Sequence, residues 1–145
     1  MTTATLETQK FKNLSFGLHR ILVKSYENTE ITSPMIDIFY NHLSAKYKDD
    51  LKSFSFIDKD FSFEIKLSCY FDDIEQYIRY TFCNFIKQLL FDQYYLNFLV
   101  NYDYNNLLQD IITSNNIEYI INNCITVLNL SVNHDEMIIK VNLHN

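Results

Sequence analysis

Histidine, cysteine and paired carboxylates are the residues of this chain that could do chemistry, and their spacing argues against it. The four histidines, His19, His42, His134 and His144, are scattered, with none at metal-ligand spacing from a second ligand type. His134, Asp135 and Glu136 form a polar triplet between apolar stretches, which reads first as a solvated turn. Cys69, Cys83 and Cys124 form no CxxC pair. No histidine lies between His42 and His134 to activate a thiol as a nucleophile. The pairs Asp49-Asp50 and Asp72-Asp73 are adjacent, so on a helix they point about 100° apart. General acid–base catalysis needs carboxylates that converge on a substrate. His19 beside Arg20 makes a cationic point, read as surface charge or as an anion contact. The chain is expected not to be an enzyme.

Composition narrows the classes further. With 12 Phe and 11 Tyr in 145 residues, the chain has ample apolar area to offset the entropy of ordering, which excludes a disordered protein. The length fits one domain, residues 1–145. A net charge of −6 and only Arg20 and Arg79 as arginines argue against a nucleic-acid surface, which needs clustered cations. Three cysteines, an odd count, read as reduced thiols of a cytoplasmic protein. No apolar run reaches the roughly 18 residues of a membrane span. The opening stretch, MTTATLETQKFKNL, carries no hydrophobic signal region. A single glycine, Gly17, rules out a glycine-rich phosphate loop. With Pro34 the only proline, turn residues are scarce, which favours helices joined by short polar connections.

The elements follow from periodicity. Phe11, Leu14, Leu18, Ile21 and Leu22 form a helical stripe within residues 5–27. Residues 28–32 read as a polar connection, and Ser33-Pro34 looks like an N-cap followed by a first helical residue. Ile36, Phe39, Leu43 and Tyr47 then share one helix face, followed by a short aromatic segment from Leu51 to Phe56. Asp58, Lys59 and Asp60 make the next break, with Asp60 a plausible N-cap. Beyond it, Phe63, Leu67, Phe71, Ile74, Ile78, Phe82, Phe85 and Leu89 keep helical spacing toward Val100. So long a helix calls for a break, expected between Tyr80 and Asp92. Leu107, Leu108, Ile111 and Ile112 suggest another helix, ending near Ser114-Asn115-Asn116. Ile117, Ile120, Ile121, Cys124 and Leu128 read as one more. At the C-terminal end, Leu128, Leu130 and Val132 alternate with polar residues, as do Met137, Ile139, Val141 and Leu143. A hairpin turning at residues 133–136 and one long helix are both open readings.

The aromatic stripe is first of all a core, yet such faces can also enclose an apolar ligand. Tyr40, Tyr47, Tyr70 and Tyr77 could then serve as polar handles.

Phe39-Tyr40, Leu43, Leu51-Lys52 and the Phe54/Phe56 pair resemble the pattern of bacterial single-domain globins across the second helix and the following corner. That resemblance implies an all-α, globin-like fold of about six helices, to which the alternation near the C-terminal end adds a short β-hairpin as an option. It matches Tyr40 to the distal-pocket tyrosine and Phe54 or Phe56 to the corner phenylalanine. A globin's iron needs a proximal histidine, which would fall near residues 96–104, where this chain has none. The resemblance is therefore to haem-free globin-like sensor domains. More narrowly, it is to the stand-alone sensor-domain proteins that inhibit sporulation in spore-forming bacilli.

That resemblance implies no haem, a bound fatty acid in the former haem space, a homodimer paired through helices, and action on a sensor histidine kinase pathway. The ligand site would comprise Tyr40, Phe54 and Phe56, with His19, Arg20, Lys24 or Arg79 for the carboxylate. One rival is a helical interaction module, of the immunity-protein or viral Bcl-2-like kind, without a small-molecule ligand. A cofactor protein with an unrecognised ligand is the other.

Overall fold

Residues 3–57 and 61–143 are described by a computed structural model, with side chains from residue 9 onward. The leucine-rich stripe near the N-terminus forms α1 (Thr3–Tyr26), with Leu18, Ile21 and Leu22 fully buried. Then α2 (Thr29–Tyr47) buries Ile31, Met35, Phe39, Leu43 and Tyr47 at helical spacing. Its cap is Asn28, whose Oδ1 accepts from the Glu30 N–H at 2.9 Å, and not Ser33. Pro34 lies inside the helix. The extra turn before it is held by tertiary contacts. Ile31 and Thr32 are buried, and the Thr32 hydroxyl donates to the Ser25 carbonyl at 3.1 Å. These offset the intrahelical bond that a proline removes.

After a short 3-10 turn, Lys48–Asp50, the aromatic segment is a strand, β1 (Leu51–Ile57). It pairs antiparallel with β2 (Ser62–Leu67), so Phe54 faces Ile65 and Phe56 faces Phe63. The expected cap at Asp60 lies outside the described residues. Phe63, Ile65 and Leu67 alternate inward along β2 where a helix was expected. Helix resumes only at α3 (Ile74–Leu90), and Phe91-Asp92 breaks it from α4 (Gln93–Val100), inside the expected window. Two short helices follow, α5 (Asn105–Ile112) and α6 (Ile117–Asn122). The chain then forms a hairpin of β3 (Thr126–Val132) and β4 (Met137–Asn142), so Leu128 belongs to a strand and not to the preceding helix.

The all-α, globin-like expectation is overturned. Among the described residues, six helices accompany one four-stranded antiparallel sheet of order β1-β2-β4-β3, an α+β arrangement. The glycine argument failed because other residues take the left-handed turn positions: Lys48 (φ 43°), Phe61 (φ 49°) and Asp103 (φ 56°). In the β3–β4 turn an asparagine side chain serves instead. Asn133 Oδ1 accepts from the Asp135 N–H at 2.9 Å. The lone glycine has a different task. A Cβ on Gly17 would stand 2.7 Å from the Leu107 methyls, so its absence lets α5 close on α1.

The helices cover one face of the sheet through a layer of rings. Phe63 stacks on Phe39 of α2 at 5.2 Å and meets Phe54 and Phe56 at 5.5 and 5.3 Å. Tyr26, at the end of α1, stacks on Phe56 at 5.6 Å. Among the described residues, no helix is long and apolar enough to cross a membrane.

Candidate functional site

The seven residues expected at the ligand site separate into two groups, with Lys24 among the cations, where it pairs with Glu27 at 3.6 Å. Tyr40, Phe54 and Phe56 do come together. Tyr40 tilts against Phe54 at 5.6 Å, and both phenylalanines lie on Phe63. Tyr40 is 46% exposed, at the rim of a packed layer. The cations lie elsewhere. His19 and Arg20 are on α1, some two turns before Tyr26, and Arg20 is exposed. Arg79 donates to Glu75 Oε1 at 3.2 Å and to the Asn122 carbonyl at 3.3 Å, tying α3 to α6. None of the seven lines the hollows between α2 and α3.

The reactive residue types are engaged in structure. Burial pushes the Cys124 thiol up to about 12 and raises Cys83 as well, so neither is a thiolate near neutrality. Cys69 is half-buried. Thiol labelling of the native protein is therefore expected to modify Cys69 alone, with Cys83 and Cys124 reacting only after denaturant is added. Rapid labelling of all three in the native state would contradict the packing around α3 and α6. Asp50 accepts from the Ser68 hydroxyl at 2.8 Å, and Asp73 accepts from the Tyr47 hydroxyl at 3.2 Å. Among the described residues, no group of three or more His, Cys, Asp or Glu is placed to hold a metal ion.

A concave feature runs between α2 and α3. Pro34, Ile38, His42 and Lys46 recur every four residues and so form a second face of α2, beside its buried stripe. Tyr77, Thr81 and Phe85 do the same on α3, with Tyr80, Asn84 and Gln88 next to them. Three hollows of about 300, 370 and 260 Å³ lie along these faces. The first two share Ile38, Phe85 and Gln88, and the second and third share Tyr77 and Tyr80, so they form one trough. Gln88 and Leu89 meet the Glu30 end and Gln76 meets the Lys46 end, so the helices run antiparallel. From Glu30 to Lys46 the trough extends about 24 Å, at a rise of about 1.5 Å per residue.

Its ends differ in charge. Glu30 and Asp92 line one end with no cation beside them in the lining. The Tyr94 hydroxyl donates to Glu30, and Asp92 caps α4 by accepting from the Tyr95 N–H at 3.1 Å. At the other end Lys46 pairs with Asp73 at 3.3 Å and lies over the Tyr77 ring at 5.1 Å. Midway, Lys87 is bound to Glu118, a hydrogen bond that raises the Lys87 pKa. Ile38 and Tyr80 stay 37% and 65% exposed on the walls. Sequence reasoning missed this site. Its signal was the second stripe of α2, where Pro34 and Ile38 are apolar residues off the buried face.

The chain matches no known protein family, and no curated protein or solved structure matches it.

Proposed function

We propose that the protein is a non-enzymatic binding module that seats an amphipathic helix of a protein partner in the α2/α3 trough. The observation that carries this is the trough itself. Two antiparallel helices leave between them an apolar-floored channel long enough for about four turns of a third helix. Helix-in-groove recognition uses such channels, with apolar anchors at i, i+3, i+4 and i+7. Ile38, Phe85 and Leu89 offer the apolar contact, while Glu30 and Asp92 favour a lysine or arginine at that end of the guest.

The polar residues set among the walls, His42, Asn84 and Gln88, suit the mixed face of a helix. They suit an acyl chain less well, and the two carboxylates at the mouth oppose a fatty acid's head group.

The test is selection from a randomised display library of helical peptides. Binders with apolar i, i+4, i+7 spacing and a basic residue are expected. Ile38→Asp and Tyr80→Ala are each expected to weaken them by about tenfold or more, as truncated anchors do. Both side chains are exposed enough that the unfolding transition should not move. Selected peptides indifferent to both substitutions would refute the site. So would oleate that binds and is displaced by Ile38→Asp.

A further inference from the structure

The end of the trough beside α4 presents two carboxylates, each already held by one oxygen. Glu30, in the first turn of α2, accepts the Tyr94 hydroxyl on Oε2. Asp92, the cap of α4, accepts the Tyr95 N–H on Oδ1 at 3.1 Å. These neutral contacts fix the carboxylates in place and leave Glu30 Oε1 and Asp92 Oδ2 for a guest. Among the described residues, no cation pairs with either one. Elsewhere along the trough the charges are matched, Lys46 by Asp73 and Lys87 by Glu118. Glu30 and Asp92 line a hollow of about 300 Å³ together with Ile38, Phe85 and Leu89. A long side chain can lay its alkyl stem on those apolar residues and bring a charged head to the two carboxylates.

We propose that this end of the trough is an arginine socket, in which a guanidinium of the guest helix is shared between Glu30 and Asp92. The inference deepens the helix-in-groove reading and rests on it. Charge complementarity selects a cation. Three features then select arginine over lysine. The carboxylates come from separate elements, and the guanidinium fork offers fixed donors in several directions where an ammonium is a compact point charge. The hollow is largely apolar, and a guanidinium is the more weakly hydrated of the two heads. The Tyr94 ring, exposed at the same hollow, gives a face on which a guanidinium stacks.

The place of the arginine on the guest follows as well. Glu30 precedes Ile38 by two turns of α2, about 12 Å along its axis. The arginine therefore stands about two turns from the apolar residue seated against Ile38 and Phe85, at i and i+7.

The test uses the intact protein and a helical library whose position two turns from the apolar anchor is drawn equally from Arg, Lys and Gln. Arginine should be enriched over lysine, and glutamine should be lost. In a selected peptide, lysine in place of the arginine should weaken binding about threefold. Citrulline, which keeps the shape and loses the charge, should weaken it about tenfold, the scale for two partly exposed charge pairs. Glu30→Gln and Asp92→Asn keep an oxygen for Tyr94 and for the Tyr95 N–H, so the unfolding midpoint should not move. Each should weaken the arginine peptide about threefold and leave the citrulline peptide unaffected. Added salt should likewise weaken only the arginine peptide. Binders that fail with Ile38→Asp yet ignore citrulline, Glu30→Gln and Asp92→Asn would overturn the socket and leave the trough standing. Equal enrichment of lysine and arginine would do the same. Binders indifferent to Ile38→Asp, or a library without binders, would remove trough and socket together.

Discussion

Phe63→Ala is expected to destabilise the protein by about 3–5 kcal/mol, the upper range for a deleted core aromatic. The magnitude follows from position. Phe63 is 1% exposed and touches the rings of Phe39, Phe54 and Phe56. It lies on β2, which pairs with both β1 and β4, so a cavity there loosens helix packing and sheet pairing together. Domains of this size have total stabilities of about 5–15 kcal/mol, so the loss is a large share of the whole. The midpoint of thermal unfolding should fall by roughly 10 °C or more. Phe56→Ala, at a half-buried ring, should cost less. Calorimetry or urea unfolding checks both. A loss below about 1 kcal/mol at Phe63 would mean that the ring layer does not hold the two halves together.

Alkali is expected to unfold the protein well before it would harm a chain with exposed phenols. Burial raises the pKa of Tyr26 and of Tyr95, each also raised by a neighbouring tyrosine, Tyr95 and Tyr104 respectively. Ser25 works the other way on Tyr95. The Ser25 hydroxyl donates to the Ile21 carbonyl at 2.9 Å, so Tyr95 donates its proton to Ser25 at 2.8 Å. That contact lowers the Tyr95 pKa without offsetting burial.

Above about pH 10 the unfolded chain releases both protons while the folded one keeps them. The folded state then binds more protons, so stability falls as pH rises. The unfolded phenols are half ionised at pH 10, so two groups give a loss of about 2 kcal/mol between pH 10 and 11, approaching about 1.4 kcal/mol per group for each further pH unit. Cys124, raised to about 12, starts its own loss near pH 9. Urea unfolding at a series of pH values reads the slope directly. Tyr95→Phe should lower stability near neutrality by about 1 kcal/mol and remove about 1.4 kcal/mol per pH unit from the alkaline slope. A stability that stays flat from pH 9 to 11 would contradict the burial of these groups.

The helical face of α2, the break at Phe91-Asp92 and the alternation of the last strands were all legible in the sequence. The error at β2 is instructive. Phe63, Leu67 and Phe71 satisfy a helix, while Phe63, Ile65 and Leu67 satisfy a strand, and the same residues anchor both readings. Glu64 and Lys66 between them mark the alternation, but the deciding partners are Met137, Ile139 and Val141, far along the chain. A local pattern cannot report a distant strand. The aromatic pair Phe54/Phe56 misled for a related reason. Two rings spaced by one residue line one face of a strand, and that spacing gave the corner of a supposed globin pocket its appeal. Tyr40 does meet Phe54, but at the rim of a packed layer. The trough escaped notice because Ile38 and Tyr80 matter by being left uncovered, and coverage is a property of the folded surface.

The pairing of β2 with β4 has a consequence for the order in which the protein is made. Ile65 leaves the ribosome long before Ile139, its partner in the register. At about 5–20 residues per second the interval is roughly 4–15 s. Through that time the inner strand of the finished sheet is itself an open border, with Phe63, Ile65 and Leu67 ready to pair with any extended chain nearby. The β3–β4 hairpin is therefore the closing piece of the sheet, and until β4 arrives only the β1 side of β2 is paired.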